Sequence, residues 1–210
     1  MTPRSSWILA GLVALCAAAA GLWLARELDH SPPELASGTW LPQARSVGSF
    51  SLTDDRGSAF TERQLRGAPA LVFFGFTHCP DVCPTTLVTL AQIKRATVMP
   101  HLRVLFVSVD PARDTPAVLG RYVHAFDPDF TGLTGNERAI GELAARLGVA
   151  YERVELGGGD YTMDHSAALF LLDGGGRNVA IFTAPFTAPR LIADLRHLCS
   201  EGLAKEDCAP

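Results

Sequence analysis

The sequence FFGFTHCPDVCP, residues 73–84, decides the fold of this chain. An apolar strand pattern leads into Cys79 and Cys83, which lie four positions apart and are each followed by proline. On the first turn of a regular helix, this spacing places the two Cβ atoms about 5–6 Å apart on one face. Such a pair can close a disulfide after a small adjustment, or bind one soft metal ion. The helix N-terminus also favours the thiolate, the form that exchanges disulfides and ligates metal.

The composition describes one globular domain with a short appendage. The chain has 210 residues, of which 48% are apolar, and that is enough to bury a sizeable core. The formal net charge is −4, and no block of lysine or arginine forms a stripe along the chain. Nucleic-acid binding is excluded on that ground, because it requires a concentrated basic surface.

The N-terminal segment has the pattern of a membrane anchor. Residues 7–25 form a run of 19 residues without a charge. As a helix this run would extend about 28 Å, close to the hydrocarbon thickness of a bilayer. Arg4 precedes the run, so residues 1–6 are expected to stay cytoplasmic while the rest of the chain is exported.

A cleaved signal peptide is the alternative to this anchor, since Ala18-Ala19-Ala20 offers small residues for cleavage. We favour an uncleaved anchor because the apolar run continues through Trp23 and Leu24, beyond the length of a usual signal core. No transit peptide rich in arginine and serine precedes the run. We therefore expect a single-pass protein of a bacterial inner membrane, with its C-terminal domain in the periplasm.

The remaining chain divides into a linker, a domain and a tail. Residues 26–47 contain Ser31-Pro32-Pro33 without periodicity, and this favours a tether between membrane and domain. The domain is expected over residues 48–200, followed by a C-terminal tail at 201–210. It opens with a hairpin pattern in which apolar positions around Leu52 and Phe60 flank a turn at residues 54–57.

The order of elements in the domain predicts a thioredoxin-like α/β fold with this hairpin added at its N-terminus. Three segments are nearly continuously apolar, as strands covered by helices on both faces are: residues 71–76, 104–109 and 167–172. A further strand is expected at 179–182. Helical periodicity predicts three helices: one over residues 119–126 that begins after Thr115, one over residues 140–147 that ends at Gly148, and one over residues 191–198. The cysteine pair lies where a central strand meets its helix, and ligand sites gather at that edge of such sheets.

A metal held by Cys79 and Cys83 alone would lack ligands. Zinc structural sites use four, and the sequence offers no second CxxC or HxxxH pair. Cu(I), which is softer, suits two thiolates and one imidazole. His165 is the best third ligand because it precedes the strand at 167–172, although a capping or core histidine is about equally consistent with its position. His78 and Met163 are weaker candidates.

Three aspartates are candidates for an outer role around such a site. Asp164 could support His165 from outside the ligand set, or it could be only a turn residue. Asp110 and Asp114 lie in the sequence DPARDTP, residues 110–116, at the end of another central strand. That sequence could form a charged rim around the site, but a turn followed by a helix cap is favoured from spacing alone.

Two further cysteines, Cys199 and Cys208, lie near the C-terminus. In an exported domain they could form a bridge that attaches the tail, or they could remain two unpaired thiols in a frayed end. The residues do not distinguish these two interpretations.

Three motifs in order resemble the Sco/SenC family. They are residues 74–84, the sequence FVSVDP with RDTP at residues 106–116, and Asp164-His165-Ser166. The resemblance covers nearly the whole chain. It implies a membrane-tethered thioredoxin-like protein that binds one copper ion through Cys79, Cys83 and His165. It also implies a role in assembling the binuclear CuA centre of cytochrome c oxidase subunit II.

The resemblance leaves two functional classes in view. In a copper metallochaperone, the two thiolates and the histidine hold a copper ion that a partner takes by ligand exchange. In a thiol-disulfide oxidoreductase, Cys79 and Cys83 act as a redox pair on the oxidase cysteines, and His165 is not required. Some family members are also described as copper or redox sensors. We favour the metallochaperone, because a dedicated reductase gains nothing from a histidine suited to copper.

Overall fold

The computed structural model describes residues 3–28, 34–96, 98–201, 203 and 205–208. By its contacts the chain forms two units, Met1–Pro32 and Pro33–Pro210. The first unit contains helix α1 (Pro3–Leu28), along which apolar side chains such as Leu15 and Trp23 are exposed. Among the described residues, no helix meets the length and apolarity needed to cross a bilayer. The anchor over residues 7–25 therefore stays a prediction.

The described part of the second unit is a mixed α/β fold built on an eight-stranded sheet. The strands are β1 (Gly38–Ser46), β2 (Ser51–Asp54), β3 (Ala59–Thr61), β4 (Ala70–Gly75), β5 (Arg103–Ser108), β6 (Thr131–Thr134), β9 (Ala168–Leu172) and β10 (Arg177–Thr183). Their order across the sheet is β1-β10-β9-β4-β5-β6-β2-β3. Strands β7 (Tyr151–Gly157) and β8 (Asp160–His165) form a separate pair.

The centre of the sheet is as apolar as the sequence predicts. Every residue of β4 and β9 is buried, and in β5 only Arg103 is partly exposed. Strand β4 runs parallel to β5 and antiparallel to β9, with Phe73 opposite both Phe106 and Leu169. The three predicted central strands are thereby confirmed as direct neighbours. The carboxyl end of β4 and the amino end of β9 consequently meet at one edge of the sheet.

The added N-terminal hairpin is also confirmed. Strands β2 and β3 pair antiparallel, with Leu52 opposite Phe60, and both side chains are buried. Gly57 closes the turn with a φ of 82°, a conformation that favours glycine. Strand β2 also pairs with β6 and so joins the hairpin to the main sheet. The sequence analysis did not predict β6, which is only four residues long.

The segment expected as a linker is partly a strand, and that prediction was wrong for residues 38–46. Strand β1 pairs antiparallel with β10 at the edge of the sheet, and its register shifts between Trp40 and Arg45. Pro42 lies within this shift. Proline is tolerated in edge strands and at bulges, where its missing N–H group leaves no ladder bond unmade. The irregular register also removes the alternating pattern by which a strand is recognised.

The hairpin of β7 and β8 was not predicted. The residues of β7 after Tyr151 are all exposed, so the hairpin has no buried apolar face that would show in the sequence. The turn at its tip is formed by Gly157, Gly158 and Gly159, all with positive φ. His165 is the last residue of β8 and lies directly opposite Tyr151. The hairpin therefore carries the predicted metal ligand to the main sheet.

Five helices accompany the strands in the described part of the second unit: α2 (Val82–Arg95), α3 (Pro116–His124), α4 (Glu137–Leu147), α5 (Ala188–Glu201) and α6 (Lys205–Cys208). The predicted cap of α3 is confirmed, because the Thr115 side chain accepts a hydrogen bond from the Val118 N–H group. The predicted end of α4 is confirmed as well, since Gly148 adopts the left-handed conformation there.

The C-terminal segment is attached to the domain rather than frayed. Cys199 of α5 and Cys208 of α6 form a disulfide, with 5.5 Å between their Cα atoms. Asp207, which is buried, accepts a hydrogen bond of 3.0 Å from the Gly174 N–H group in the turn between β9 and β10. Of the two interpretations of these cysteines, the bridge is the one observed. Part of the expected tail, residues 205–208, is accordingly helical.

We predict that replacing Cys199 and Cys208 together by serine lowers the free energy of unfolding by about 2–3 kcal/mol. A disulfide that closes a loop of about ten residues lowers the conformational entropy of the unfolded chain, and this raises the free energy of unfolding by roughly that amount. Urea unfolding of the full chain, followed by circular dichroism, measures the change. The matched control is Cys16→Ser, which removes a thiol of α1 that is not in a disulfide among the described residues. Equal midpoints for the double variant and the wild type would contradict the prediction.

Candidate metal centre

The two cysteines occupy different positions at the start of α2. Helix α2 begins at Val82, so Cys83 lies in its first turn while Cys79 lies in the loop before it. The expectation that both lie on one helical turn was therefore wrong. The Cys79 N–H group instead donates to the Phe76 carbonyl oxygen at 3.3 Å, so Cys79 belongs to the turn that joins β4 to α2. The Cys83 N–H group donates to the Cys79 sulfur across 3.4 Å, so this sulfur caps the helix where the Asp81 side chain does not.

Gly75, the last residue of β4, allows the Cys83 sulfur to approach the sheet. A Cβ atom added at this position would lie 2.8 Å from the Cys83 sulfur and 2.8 Å from the Phe106 ring. Real Cβ atoms do not come that close to other heavy atoms. The glycine thus leaves the space that the sulfur occupies. Sequence analysis did not single out Gly75, although a glycine at the end of an apolar strand signals a close approach.

His165 reaches the cysteines from the other side. Its Nε2 atom lies 3.5 Å from the Cys83 sulfur, and its Nδ1 atom lies 3.3 Å from the Ser166 carbonyl oxygen. The imidazole makes edge contacts with Phe73 and Phe76, with ring centroids 6.1 Å and 6.0 Å away. These contacts hold the ring plane while Nε2 points at the sulfur. The structure therefore brings together all three residues that the sequence analysis selected.

The three donor atoms have the spacing of a metal site. One ligand atom each from Cys79, Cys83 and His165 lies within 4.8 Å of the other two. Around one ion with metal–sulfur bonds of about 2.3 Å and metal–nitrogen bonds of about 2.0 Å, as for zinc, three ligands lie about 3.8–4.0 Å apart. The Cys83 sulfur and His165 Nε2 are already 3.5 Å apart, and every donor pair lies within about 1 Å of these distances. Two sulfurs and one nitrogen form a soft donor set.

Burial divides the ligand set into an inner and an outer part. Cys83 is fully buried, and burial is the main cause that raises the pKa of its thiol above the usual range. Burial likewise lowers the pKa of His165, against the opposing effects of the Ser166 carbonyl and the Asp164 charge. The imidazole is therefore neutral at pH 7 and keeps a lone pair for a metal. Cys79 and His165 are both only partly buried, so Cys83 is the inner ligand and the other two form the outer part.

Asp114 fixes the loop that carries Cys79. Its side chain is fully buried and accepts three hydrogen bonds: 3.0 Å from the Thr77 N–H group, 2.6 Å from the Thr77 hydroxyl, and 2.6 Å from the Ser108 hydroxyl. A buried carboxylate without such donors would be costly. The three bonds therefore explain both its burial and the fixed position of Thr77, two residues before Cys79.

Asp110 and Arg113 contact the β7–β8 hairpin. Asp110 is 3% exposed, accepts a hydrogen bond of 2.8 Å from the Tyr161 hydroxyl and forms an ion pair with Arg113. The Arg113 guanidinium also donates to the Tyr161 carbonyl oxygen at 3.0 Å. The sequence analysis favoured a turn and helix cap over a charged rim for residues 110–116. The structure shows the cap at Thr115. In addition, the Asp114 carboxylate is bonded to the cysteine loop and the Asp110 carboxylate to the β7–β8 hairpin.

The remaining candidates lie outside the three-donor group. Asp164 is part of β8 rather than a turn, is exposed, and lines with His165 a groove of about 470 Å³. The His78 side chain is 53% exposed, and its Nδ1 atom lies 3.1 Å from the Thr77 hydroxyl. Met163 packs against the core. The sequence analysis missed Tyr161, whose role depends on a contact that no local pattern reveals.

The part of the chain that forms this centre matches a known protein family. A family model described as SCO1/SenC matches residues 39–200. This range includes all three donor residues, the loop before α2 and the β7–β8 hairpin. The chain belongs to the SCO1/SenC family. The matched range starts within β1, so the SCO1/SenC region includes the edge strand that the sequence analysis had placed in a linker.

Relatives of this SCO1/SenC protein come from bacteria and mitochondria. A SCO2-like protein of Rickettsia prowazekii is 38% identical over 149 residues, which are 69% of this chain and 73% of that protein. The mitochondrial SCO2 homolog of Homo sapiens is 34% identical over 180 residues, or 82% of this chain and 67% of that protein.

Solved structures share its thioredoxin-like fold. The ScoI protein of Bradyrhizobium japonicum with copper bound is 43% identical, with a TM-score of 0.65 over 71% of this SCO1/SenC chain and 96% of that one. The ScoI protein of Arabidopsis thaliana with copper bound is 34% identical, with a TM-score of 0.68 over 73% and 98% of the two chains. The predicted fold class of the domain is confirmed.

We predict that Gly75→Ala displaces the Cys83 sulfur and lowers the free energy of unfolding by about 1–3 kcal/mol, the usual cost of overpacking a filled core. Thermal unfolding of the full chain measures the loss, and the rate of Cys83 alkylation in a Cys79→Ser background reports the displaced thiol.

The matched control for this prediction is Gly141→Ala in α4. A Cβ atom there meets only the Tyr151 hydroxyl, at an ordinary contact distance of 3.4 Å. Alanine in a helix interior is favoured over glycine by about 0.5–1 kcal/mol, so this variant is expected to be as stable as wild type or more stable. Equal stability of Gly75→Ala and Gly141→Ala would show that the close approach at Gly75 does not constrain the site.

Proposed function

We propose that this protein is a copper metallochaperone that binds one copper ion through Cys79, Cys83 and His165. We further propose that it delivers the ion during assembly of the CuA centre of cytochrome c oxidase subunit II. The observation that carries the proposal is the convergence of two sulfurs and one imidazole nitrogen within 4.8 Å. These donors come from α2, the loop before it and the end of β8, segments that only the folded chain brings together.

The donor chemistry supports copper over the commoner structural metal. Two thiolates and one neutral imidazole give Cu(I) a complete set, whereas structural zinc sites use four protein ligands. The copper-bound ScoI proteins of Bradyrhizobium japonicum and Arabidopsis thaliana, at 43% and 34% identity, support the same ion. Membership of the SCO1/SenC family supports the role in oxidase assembly.

The unequal burial of the two sulfurs suggests how the ion would leave. Only Cys83 is fully buried, while Cys79 and His165 are both partly exposed. A thiolate of the partner can approach from the Cys79 side, bond to the copper and replace the protein donors one at a time. No electron is transferred in this exchange, and the protein thiolates regain protons from water as the copper leaves. Oxidation of Cys79 and Cys83 to a disulfide would prevent loading.

We also propose that residues 7–25 anchor the protein in a bacterial inner membrane, with the copper domain in the periplasm. The uncharged run and the preceding Arg4 support this orientation. In this location the domain would face oxidase subunits that receive copper outside the cytoplasm, and the Cys199–Cys208 bridge suits such an oxidising compartment.

A second candidate function is thiol-disulfide exchange with the oxidase cysteines. The observation that favours it is the pair of thiols at 79 and 83, which are not joined in a disulfide among the described residues and lie within 4.8 Å. The Cys79 thiolate would bond to one sulfur of a partner disulfide, and the other partner sulfur would leave with the electron pair. Cys83, once deprotonated, would then displace the partner, so that this pair is oxidised and the partner is reduced. A copper or redox sensor would use the same pair.

We predict that His165→Ala lowers Cu(I) affinity by more than about 100-fold, because losing even an outer partner of a metal ligand costs about 10–100-fold. Cys79→Ser and Cys83→Ser are expected to lower it at least as far. Anaerobic titration of the full chain against a chromophoric Cu(I) chelator measures the affinity.

The matched control is His101→Ala, which removes an exposed histidine in the turn before β5. It is expected to bind Cu(I) as the wild type does. If His165→Ala retains copper as tightly as His101→Ala, the ligand assignment is wrong.

The two candidate functions predict different results when disulfide exchange and copper transfer are measured side by side in the wild type and in His165→Ala. Exchange needs the two cysteines alone, so a reductase keeps its rate in this variant. We expect the wild-type chain to reduce a peptide disulfide carrying the two copper-ligand cysteines only slowly, and to transfer Cu(I) to the reduced peptide readily. A rapid reduction that is unchanged in His165→Ala, together with no copper transfer, would favour the oxidoreductase.

A further inference from the structure

The β7–β8 hairpin, which carries a proposed copper ligand, packs on the core through Tyr151 and Met163 but is not part of the main sheet. Among the described residues its strands pair with each other and not with the main sheet. An isolated two-stranded hairpin is marginally stable in water. At its base, the Ser166 N–H group donates to the Ala150 carbonyl oxygen at 2.9 Å. The position of His165 therefore depends on whatever fixes the rest of the hairpin.

The side chain of Tyr161 makes the strongest polar contact between the hairpin and the loop after β5. The Tyr161 hydroxyl donates a hydrogen bond of 2.8 Å to the Asp110 carboxylate, which is almost completely buried. The backbone carbonyl oxygen of Tyr161 accepts a hydrogen bond of 3.0 Å from the Arg113 guanidinium. A hydrogen bond to a charged acceptor is stronger than one between neutral groups. The Tyr161 residue is thus bonded to this loop through both its side chain and its backbone.

The ring of Tyr161 adds a second contact to the same loop. The guanidinium carbon of Arg113 lies 3.8 Å from the ring centroid, and that of Arg153, within the hairpin, lies 3.7 Å from it. Both distances fit cation–π contacts. Because Arg113 is also paired with Asp110, the ring, the guanidinium and the carboxylate form one connected group. We call Asp110, Arg113 and Tyr161 the hairpin latch.

The hairpin latch includes a residue of β8, the strand that carries His165, and two residues of the loop that carries Asp114. Tyr161 and His165 are four residues apart in β8, so their side chains lie on one face of the hairpin, about 13 Å apart along the strand. The loop of residues 110–114 also contains Asp114, which is bonded to Thr77 in the cysteine loop. One short loop therefore connects both arms of the ligand set.

We propose that Tyr161 is a positioning residue for His165: by latching the hairpin to Asp110 and Arg113, it keeps the imidazole beside the cysteines and so sets copper retention. This inference rests on the proposed copper-binding function. Tyr161 does not touch the donor atoms, and it acts on them only through the placement of β8. Release of the latch would free the histidine arm while the two sulfurs stay in place.

The test is a double-mutant cycle in the full chain with Tyr161→Phe and His165→Ala, singly and together. Phenylalanine keeps the ring and its two guanidinium contacts but cannot donate to Asp110. We expect Tyr161→Phe to lower Cu(I) affinity about 10-fold, as for one charge-assisted hydrogen bond partly replaced by water. In the His165→Ala background the same change is expected to have no further effect, because the arm that the latch positions is gone.

The matched control is Tyr151→Phe, which removes a hydroxyl from the same hairpin. Among the described residues no hydrogen bond of that hydroxyl is found, and the variant is expected to bind Cu(I) as the wild type does. If Tyr161→Phe lowers affinity equally with and without His165, its effect is a general loss of stability and the proposal is overturned. Equal affinities for Tyr161→Phe and wild type would overturn it as well.

A second measurement separates the latch from the copper function. In the metal-free chain, amide hydrogen exchange over residues 151–165 is expected to be faster in Tyr161→Phe than in Tyr151→Phe, with the cysteine loop at 77–83 unchanged. Unchanged exchange in the hairpin would refute the latch. If the wild-type chain does not bind Cu(I), the proposed function fails, while the exchange data still decide whether Tyr161 holds the hairpin.

Discussion

The burial of the Asp114 carboxylate is the constraint on which the arrangement of the metal centre depends. A charged group removed from water must find donors, and this one finds them on Thr77 and Ser108. The loop before Cys79 is thereby attached to the strand beside β4. Since Asp110 in the same loop holds Tyr161, the geometry of three ligands from distant positions depends on a five-residue segment at the end of β5.

The unequal environments of the two sulfurs suit the proposed binding and release of copper. The fully buried Cys83 sulfur is shielded from water, whereas Cys79, like His165, is only partly buried. A site closed on all sides would keep its ion, and a fully exposed one would lose it to any thiol in solution. The strand glycine at 75 contributes to this asymmetry by admitting the Cys83 sulfur, while Cys79 lies in the loop before the helix.

The central strands, the N-terminal hairpin and the caps of α3 and α4 could be predicted because each has a local signature: a continuous apolar run, turn residues or a cap. Strand β1 could not, since Pro42 and the irregular register removed its alternation. The β7–β8 hairpin lacks a buried apolar face and so leaves no periodic signal. The position of His165 before an apolar strand made it a candidate, and the resemblance decided in its favour, because its closeness to the cysteines depends on β9 lying beside β4. The roles of Gly75 and Tyr161 follow from contacts between segments far apart in the chain.

The C-terminal bridge has a practical consequence for how the protein is handled. The chain contains a second sulfur pair, at 199 and 208, which joins α5 to the segment that places Asp207 against the turn between β9 and β10. A reductant chosen to keep the metal-binding thiols reduced must therefore leave this second pair oxidised, because opening it would release the segment that carries Asp207. A sample in which both cysteine pairs are reduced would differ from the native protein at the C-terminal segment as well as at the metal centre.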